Sequence, residues 1–507
     1  MAEPTMQRSL VTIGVMLATI MQALDTTIAN VALPYMQGGL AASQDQINWV
    51  LTSYIVAAAI MTPPTGWLAR RFGRKRLFLV AVTGFTVASV LCGAAATLGQ
   101  MVLFRLLQGL FGASLVPLSQ AVMLDSYPKE QQGSAMAIWG VGVMVGPILG
   151  PTLGGWLTEA YDWRWVFYIN LPVGILTFVL LTTFLSETAS DRRARLDWLG
   201  FGLLSLAIGA LQLMLDRGEQ LDWFNSLEIV LEGSVSALAF YLFLAHMFTA
   251  EKPFISPGLF KDRNFSLGLL LIFFVGVVLL ATLALLTPYL QNLMDYPVFT
   301  AGLVLAPRGV GTMIAMFIAG RLVARIDVRF LLGTGLILTV LALWEMTYYT
   351  PDVDQWTIVR NGLIQGMGLG FLFVPLSAVT FATLDPAYRT EGTGLFSLMR
   401  NIGSAIGISV VINLLSTGTQ ANHAELVRYA TPFNDALHMP APAAAWDLAT
   451  LAGRAALNEE ITRQASIIAY ANDFHLLMLM AVAVMPLVLL LRPARSTGGA
   501  AGHAAMD

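Results

Sequence analysis

A single carboxyl, Asp25, lies within the first long apolar stretch of the chain. Gln22 lies three residues before Asp25, and Gln22, Thr26 and Asn30 follow one another at spacings of four, so these side chains share one face of a helix. An ionisable group in hydrocarbon costs at least ~2.5–3.5 kcal/mol and therefore indicates a function. We predict that Asp25 takes up and releases a proton, and that Gln22, Thr26 and Asn30 line a substrate cavity. The alternative is a static carboxyl bonded to a neighbouring helix.

A second internal charge, Arg105, lies in the fourth apolar stretch, with Gln108 one helical turn further along. At a rise of about 1.5 Å per residue, Asp25 and Arg105 lie at similar depths, about 12 Å and 7 Å from the same-side ends of their helices. A nearby cation favours an ionised carboxyl, and its withdrawal favours proton uptake. We predict that the pair couples proton binding to conformation, or else that Arg105 only joins helices. Gln108 and Trp139 are further cavity candidates, although a tryptophan is more commonly part of a packed core.

The composition places these charges in a lipid environment. Of 507 residues, 56% are hydrophobic and only 12% are charged, whereas an average soluble domain has roughly 25% charged residues. A net charge of -3 leaves no basic stripe for nucleic acid. With one cysteine, and with no Cys/His group at metal-ligand spacing, we expect no metal and no cofactor other than H⁺ as a coupling ion. The five histidines lie outside the depths of the apolar stretches, so a membrane-embedded enzyme is not expected.

Fourteen stretches are long and apolar enough to cross a bilayer, for which about 20 residues suffice. We therefore predict an all-α polytopic membrane protein with transmembrane helices at approximately 10–33, 48–69, 77–96, 100–123, 135–158, 164–185, 197–215, 228–248, 266–290, 300–322, 330–349, 357–382, 394–416 and 475–492.

Lysine and arginine are distributed unequally between the two sides of these spans. Nineteen fall in the segments on the side of the N-terminus and five in those on the other side. The positive-inside rule therefore places both termini in the cytoplasm. The long hydrophilic segment at about 417–474 is then a periplasmic loop. It is either a solvated cap or a docking surface for a periplasmic protein, and its residues 451–471 have a helical composition.

The chain also repeats itself at half its length. The sequence GWLARRFGRK at 66–75 returns 254 residues later as GRLVARIDVR, and Gln108-Gly109 returns 257 residues later as Gln365-Gly366. Parallel repeats of this kind are a transporter architecture, with the binding site near the midplane between the halves. We predict a 6+2+6 arrangement, in which two inserted helices separate two pseudo-symmetric six-helix bundles. The predicted domains are 1–190, 191–262 and 263–507.

The fifth stretch is rich in glycine and proline. Small residues allow helices to approach closely, and prolines bend a helix. This helix is either a tight packing face or a hinge and seal against ion leak. The residues concerned are Gly142, Gly146, Pro147, Gly150, Pro151 and Gly154.

Two other intramembrane charges, Arg308 and Glu345, fall in the outer halves of the tenth and eleventh stretches. We predict a possible second charge pair between them, which is either structural or part of the substrate pathway.

Taken in order, these motifs resemble the major facilitator superfamily. Residues 66–76 resemble its signature between spans 2 and 3, 105–109 its span-4 signature and 142–155 its span-5 antiporter signature. Residues 24–34 are similar to the span-1 signature of the fourteen-span drug:H⁺ antiporters. Residues 163–172 and 213–224 resemble the inner-membrane subunits of Emr-type tripartite multidrug efflux pumps.

The resemblance implies a major facilitator fold and proton-driven efflux of hydrophobic drugs and uncouplers by alternating access, and hence antibiotic resistance. It places the protein in a Gram-negative inner membrane and implies two partners, a periplasmic membrane-fusion adaptor and a TolC-type outer-membrane channel. The alternative within the same architecture is a proton-coupled exporter of one specific amphiphile, such as a fatty acid, siderophore or lipid.

The family pattern also implies a gating loop, formed here by Gly66, Arg71, Gly73, Arg74 and Lys75. The superfamily usually has an aspartate where this chain has Arg70, so a relay based on that aspartate is not expected. In the second half, Gly362 occupies the position that corresponds to Arg105. The proton machinery is therefore expected in the N-terminal half.

Overall fold

The computed structural model describes residues 4–128, 131–188, 190–191, 195–385, 388–431, 434, 446 and 448–492. The first bundle consists of α1 (Pro4–Gly39), α2 (Gln44–Ile47), α3 (Trp49–Met61), α4 (Thr65–Phe72), α5 (Arg74–Ala94), α6 (Leu98–Gly112), α7 (Leu115–Ser126), α8 (Gln132–Ala160), α9 (Trp165–Tyr168) and α10 (Asn170–Phe184). The inserted pair is α11 (Trp198–Arg217) and α12 (Leu227–Thr249). The second bundle consists of α13 (Arg263–Pro288), α14 (Val298–Leu322), α15 (Val328–Met346), α16 (Gln355–Ala382), α17 (Arg389–Val427) and α18 (Leu451–Leu489).

Within the described residues, thirteen helical stretches are long and apolar enough to cross a membrane. The predicted span at 48–69 differs, because it is divided into α3 and α4, and α3 alone has only 13 residues. Pro63 and Pro64 stand at the break, where neither can donate a backbone hydrogen bond. Together α3 and α4 complete the second of fourteen passes.

The two bundles pack their helices in the same pattern. In the first bundle α1 packs on α8 and α10, α6 packs on α3 and α5, and α5 packs on α10. In the second bundle α13 packs on α17 and α18, α16 packs on α14 and α15, and α15 packs on α18. Each pair in one bundle thus has its counterpart in the other, as duplicated halves require.

The bundles meet along α8, which packs on α14 and α16, and along α17, which packs on α4 and α7. The inserted helices lie to one side of this interface. Helix α11 packs on α12 and also contacts α3 of the first bundle and α17 of the second. At its end, Asp216 accepts a hydrogen bond from Thr52, and the Leu215 carbonyl accepts one from Ser409 at 2.5 Å. The insertion therefore contacts both halves.

The hydrophilic segment predicted as a loop at 417–474 is shorter in the structure. Helix α17 continues to Val427 and α18 begins at Leu451, in agreement with the helical composition of 451–471. The two extensions pack against each other: Asn422 donates to the Ala465 carbonyl at 3.2 Å, and His423 is bonded to Asn458 at 3.0 Å. These contacts explain why both helices continue past the apolar spans. Much of the connection between them, including 435–445, lies outside the described residues.

Candidate functional site

The structure brings together the two charges that the sequence placed at similar depth. Arg105 on α6 donates a hydrogen bond from Nη1 to Oδ2 of Asp25 on α1, over 2.7 Å. The two side chains are only 1% and 0% exposed. They form a fully buried ion pair between two helices of the first bundle.

The second oxygen of the Asp25 carboxylate is also occupied. Oδ1 accepts hydrogen bonds from Gln108 Nε2 at 2.8 Å and from Asn170 Nδ2 at 3.1 Å. Asn170 donates a further bond to Ser89 at 3.0 Å, which fixes the orientation of its amide. Asp25 therefore accepts three hydrogen bonds, from α6 and α10, which is the pattern of an ionised carboxylate.

Arg105 is held by more than its carboxylate. Its Nε donates to the Val50 carbonyl at 3.0 Å, and Nη1 donates to Gln108 Oε1 at 2.8 Å. Its guanidinium lies 4.3 Å from the ring centroid of Tyr54 and 5.7 Å from that of Phe167. Aromatic faces attract a desolvated cation. Arg105 therefore keeps several favourable contacts that do not depend on the charge of Asp25.

The glycines of α8 set the position of α1. A Cβ atom at Gly146 would collide with the backbone of Ala23, and one at Gly150 with the Thr27 side chain. Thr27 donates a hydrogen bond to the Gly146 carbonyl at 2.9 Å. Gly142 and Gly154 likewise face Met16 and Ile28 of α1. The glycine stripe is therefore a close packing face against the helix that carries Asp25, and its role as a hinge or seal stays a prediction.

Pro147 and Pro151 lie within α8, whose helix continues through them, and their side chains are outside the described structure.

The predicted cavity residues of α1 differ in exposure. Gln22 is half-buried and donates to the Tyr54 hydroxyl at 3.3 Å, and Thr26 bonds to the Ala23 carbonyl. Asn30 is exposed and donates to the Thr26 carbonyl at 3.3 Å. Asp25 points away from this exposed edge towards α6, so these residues border the ion pair without contacting it. Their role in substrate binding stays a prediction.

Trp139 on α8 is fully buried at the interface between the bundles. Its ring stacks on Phe373 of α16, with the centroids 5.7 Å apart and the planes 19° apart. In this conformation it is therefore a packing residue between the halves.

The predicted gating loop joins α4 to α5 at one end of the first bundle. Gly73 has φ +88°, and a Cβ atom there would collide with Glu187, so glycine is required. The Arg74 amide donates to Thr188 at 3.0 Å, and Lys75 Nζ donates to the Thr182 carbonyl at 2.7 Å. The loop is thus fastened to the last turn of α10 and to the segment that follows it. Arg71 lies in the last turn of α4.

The same loop also binds the second bundle. Arg74 forms an ion pair with Asp125 at the end of α7, and Asp125 also binds Arg389 of α17 at 2.5 Å. Arg74 Nε donates to Thr390 at 2.9 Å. One carboxylate therefore joins arginines of opposite bundles.

A second contact lies beside this bridge. Arg70, which replaces the aspartate of the family pattern, lies 3.9 Å from Glu391 of α17. A Cβ atom at Gly66 would be only 2.7 Å from the Glu391 backbone. In this conformation the two bundles are held together at the end that carries the loop.

The predicted charge pair between Arg308 and Glu345 is wrong. Glu345 pairs instead with Arg360 and accepts a bond from Asn361 at 2.8 Å. Arg308 points towards α13, where Nη2 donates to the Leu279 carbonyl at 3.0 Å. Similar depth does not specify which face of its helix a side chain occupies.

Sequence reasoning also missed several contributors. Asn170 lies in the segment 163–172, but its contact with Asp25 was not foreseen. Because Tyr54 carries no charge and lies in an apolar stretch, nothing in the sequence indicates that it lies beside Arg105. Asp125 and Arg389 resemble other charges at span ends, and only the packing of the bundles identifies them.

Two pseudo-symmetric helical bundles, one of which contains a buried ion pair, are the architecture of a membrane-embedded secondary transporter. The sequence model of the Major Facilitator Superfamily matches residues 15–408, and the chain belongs to this family. It is a multi-pass membrane protein, and the family identifies it as a transporter rather than an enzyme.

Relatives match over almost the whole length. The chain is 35% identical over 502 residues to the multidrug export protein EmrB of Escherichia coli (strain K12), covering 98% of each chain. It is 36% identical over 499 residues to the fatty acid resistance protein FarB of Neisseria gonorrhoeae, covering 97% of each. Among solved structures, the human organic anion transporter MFSD10 (TETRAN) matches with a TM-score of 0.58 and 15% identity, covering 95% of this chain and 100% of the other. That likeness supports the fold alone.

Proposed function

We propose that this protein is a proton-driven multidrug efflux transporter, which exports hydrophobic drugs and uncouplers across the bacterial inner membrane in exchange for H⁺. The observation that carries the proposal is the fully buried Asp25–Arg105 pair, because Asp25 lies on α1, which packs on the interface helix α8. An ion pair at this depth is costly to retain for structure alone. Full-length relatives named as multidrug export proteins support the substrate class.

The contacts suggest how proton binding is coupled to conformation. When the cavity is open to the periplasm, Asp25 receives a proton and its attraction to Arg105 is lost. Arg105 keeps its bonds to the Val50 carbonyl and Gln108 Oε1, so it remains solvated by the protein. The halves then rock, the proton leaves to the cytoplasm and drug enters. The membrane potential contributes ~2.3 kcal/mol per charge per 100 mV to this cycle.

In this proposal both termini are cytoplasmic, and the loop end of the molecule faces the cytoplasm. The bridge between Arg74, Asp125 and Arg389 then closes the cytoplasmic side. On this proposal, the conformation described here is one that is closed at the cytoplasmic end.

The proposal extends to a tripartite pump with a periplasmic membrane-fusion adaptor and a TolC-type outer-membrane channel. The helical extensions of α17 and α18 support it, because they form a packed pair beyond the apolar spans. On the proposed orientation this pair projects into the periplasm, where an adaptor is located. Its exposed side chains include Val427 and Leu451, which are 42% and 79% exposed and suit an apolar contact.

A second candidate is a proton-coupled exporter of one amphiphile, such as a fatty acid, siderophore or lipid. It is favoured by the relative named for fatty acid resistance, which matches this chain as completely as the multidrug exporter does. Competition among unrelated drugs and amphiphiles for transport distinguishes the two. Several competitors of similar strength support the multidrug exporter, and one dominant competitor supports the alternative.

The test of the main proposal is drug-linked proton flux in proteoliposomes. We expect Asp25→Asn to abolish coupled proton movement, because the amide fills the same space without titrating. Asp162→Asn, at an exposed acid of the same bundle, is the matched control and should transport like the wild type. Full coupling in Asp25→Asn would disprove the assignment of Asp25.

A further inference from the structure

The second bundle contains a buried arginine that has no counter-ion among the residues that the structure describes. Arg308 on α14 is 5% exposed, and its Nη2 donates to the Leu279 carbonyl at 3.0 Å. Its Nε and Nη1 have no hydrogen-bond partner, and no acidic side chain among the described residues lies within ion-pair distance of it. A buried charge is normally paired, because an uncompensated one is strongly unfavourable. Arg308 therefore has donors available for an anion from outside the chain.

The internal repeat shows which group of the first bundle's site is missing from the second bundle. At the repeat offset of 257 residues, Asp25 corresponds to Thr282, Arg105 to Gly362 and Gln108 to Gln365. Gln365 Nε2 bonds to Thr282 Oγ1 at 3.3 Å, as Gln108 Nε2 bonds to Asp25 in the first bundle. The second bundle thus keeps the amide and replaces the carboxylate by a hydroxyl.

The second bundle also contains a buried cation. This cation, Arg308, lies on α14 and not on α16, the helix that corresponds to the α6 helix of Arg105. Gly362 leaves room beside Arg308, whose Cβ is 3.7 Å from the position of a Cβ at Gly362. At the offset of the loop motif, Arg308 corresponds to Tyr54, the residue beneath the Arg105 guanidinium. The second bundle therefore repeats the buried polar cluster with its positive charge and without its negative charge.

A narrow apolar cleft begins one helical turn from this cluster. It lies between α13, α15, α16 and α18, and Val278 and Leu369 are among its lining residues. Val278 and Thr282 are one turn apart on α13, and Leu369 and Gln365 are one turn apart on α16, so each pair shares a face. The cluster therefore presents a positive charge within apolar surroundings, which suits the anionic head of a hydrophobic molecule.

The cluster also lies beside the interface of the bundles. A Cβ atom at Gly309, the next residue of α14, would collide with Ile148 of α8 in the first bundle. Rocking of the halves, which changes the contact of α8 with α14, would therefore change access to Arg308.

We propose that Arg308, with Gln365 and Thr282, binds the anionic head group of a hydrophobic acid. This inference rests on the proposed export function and narrows its substrate class to acidic amphiphiles. Arg308 supplies the charge, while Gln365 and Thr282 orient the head group.

The test is equilibrium binding to the full-length protein in phosphatidylcholine nanodiscs, without a proton gradient. The probes are 1-pyrenebutyrate and its neutral amide, which share one hydrophobic body, and their binding is followed by fluorescence polarisation. We expect the wild type to prefer the carboxylate by about tenfold, the scale of a charge-assisted hydrogen bond. Arg308→Gln should remove the preference and leave amide binding unchanged. Arg308→Lys should retain most of the preference for the carboxylate. Arg360→Gln is the control at an exposed arginine of the same bundle, and it should retain all of this preference.

A second pair of variants tests the site without removing the arginine. Thr282→Asp would place a carboxylate where the first bundle has Asp25, so it should neutralise Arg308 from within and abolish the preference. Thr282→Asn is the neutral control and should retain it. A preference that survives both Arg308→Gln and Thr282→Asp, or an equal loss of both probes, would overturn the proposal.

Partial replacement of phosphatidylcholine by phosphatidylglycerol distinguishes a solute from a lipid as the source of the anion. Unchanged pyrenebutyrate binding assigns the site to the solute. If phosphatidylglycerol competes with pyrenebutyrate in the wild type but not in Arg308→Gln, the site is assigned to a lipid head group. Because no proton flux is measured, either result is independent of the role proposed for Asp25.

Discussion

At the scale of single residues, the first bundle supplies its buried carboxylate with more donors than one arginine. Asp25 accepts bonds from Arg105, Gln108 and Asn170, and these partners come from two helices. Breaking a buried ion pair by removing one partner typically costs about 3–5 kcal/mol, since the other charge is left uncompensated. Removing both charges together is far less costly. The two substitutions should therefore have strongly non-additive effects on stability.

We expect Arg105→Gln alone to lower the free energy of unfolding by roughly 3–5 kcal/mol. The double variant Asp25→Asn/Arg105→Gln should recover most of that loss and yet remain inactive in transport. Thermal unfolding of the purified protein measures the loss of stability in Arg105→Gln. The measurement is made at alkaline pH, because at lower pH the unpaired Asp25 carboxyl could take up a proton and so reduce the loss. Additive losses in the double variant would mean that the two charges do not interact.

At the scale of elements, α8 has a different role on each of its faces. The glycines at 146 and 150 admit α1, whereas Trp139 stacks on Phe373 of the second bundle. Helix α8 thus positions α1, which carries Asp25, and also forms the contact between the two bundles. A change in its packing on α1 should affect both stability and transport.

Gly146→Ala tests this role. The new methyl group would meet the backbone of Ala23, which cannot move aside as a flexible side chain does. We expect a loss of about 1–3 kcal/mol, typical of overpacking, and reduced transport. Gly155→Ala is the matched control, since nothing lies within 4 Å of its added Cβ atom. Equal unfolding temperatures and transport rates for the two variants would contradict the packing role of Gly146.

The elements and the site were predictable to different extents. The spans follow from length and hydropathy, and the equivalence of the bundles follows from repeated motifs. Depth made the contact of Asp25 with Arg105 possible but did not establish it, because the same reasoning paired Arg308 with Glu345, which do not meet. Neither Asn170 nor the true partner of Glu345 follows in this way, since the rotation of a helix about its axis is set by packing with its neighbours.

At the scale of the whole molecule, the bundles are joined at the loop end by a carboxylate shared between them. Asp125 belongs to the first bundle and binds Arg389 of the second, and Arg74 completes the bridge. Alternating access requires that this end opens in another state of the cycle. A bridge present in one state and broken in the other shifts the equilibrium between the states by its own free energy.

Asp125→Asn should therefore favour the state that is open at the loop end. Couplings of this kind amount to about 1–3 kcal/mol, so we expect at least about a fivefold change in the ratio of the two states. Spin labels at cysteines introduced at Ser190 and Phe330, which are exposed at this end of the two bundles, would report it in a Cys92→Ser background. Pulsed electron–electron double resonance should show a larger population of long distances between the two labels in Asp125→Asn than in the wild type.

The matched control for this last prediction is Glu460→Gln, which breaks an exposed ion pair with Arg463 on the extension of α18, far from the bridge. It should leave the distance distribution unchanged. Adding Arg389→Gln to Asp125→Asn should shift the distribution little further, because both substitutions remove the same interaction. If Asp125→Asn gave the wild-type distribution, the bridge would not stabilise the closed loop end, and closure would have to depend on the apolar packing of α8 against α14.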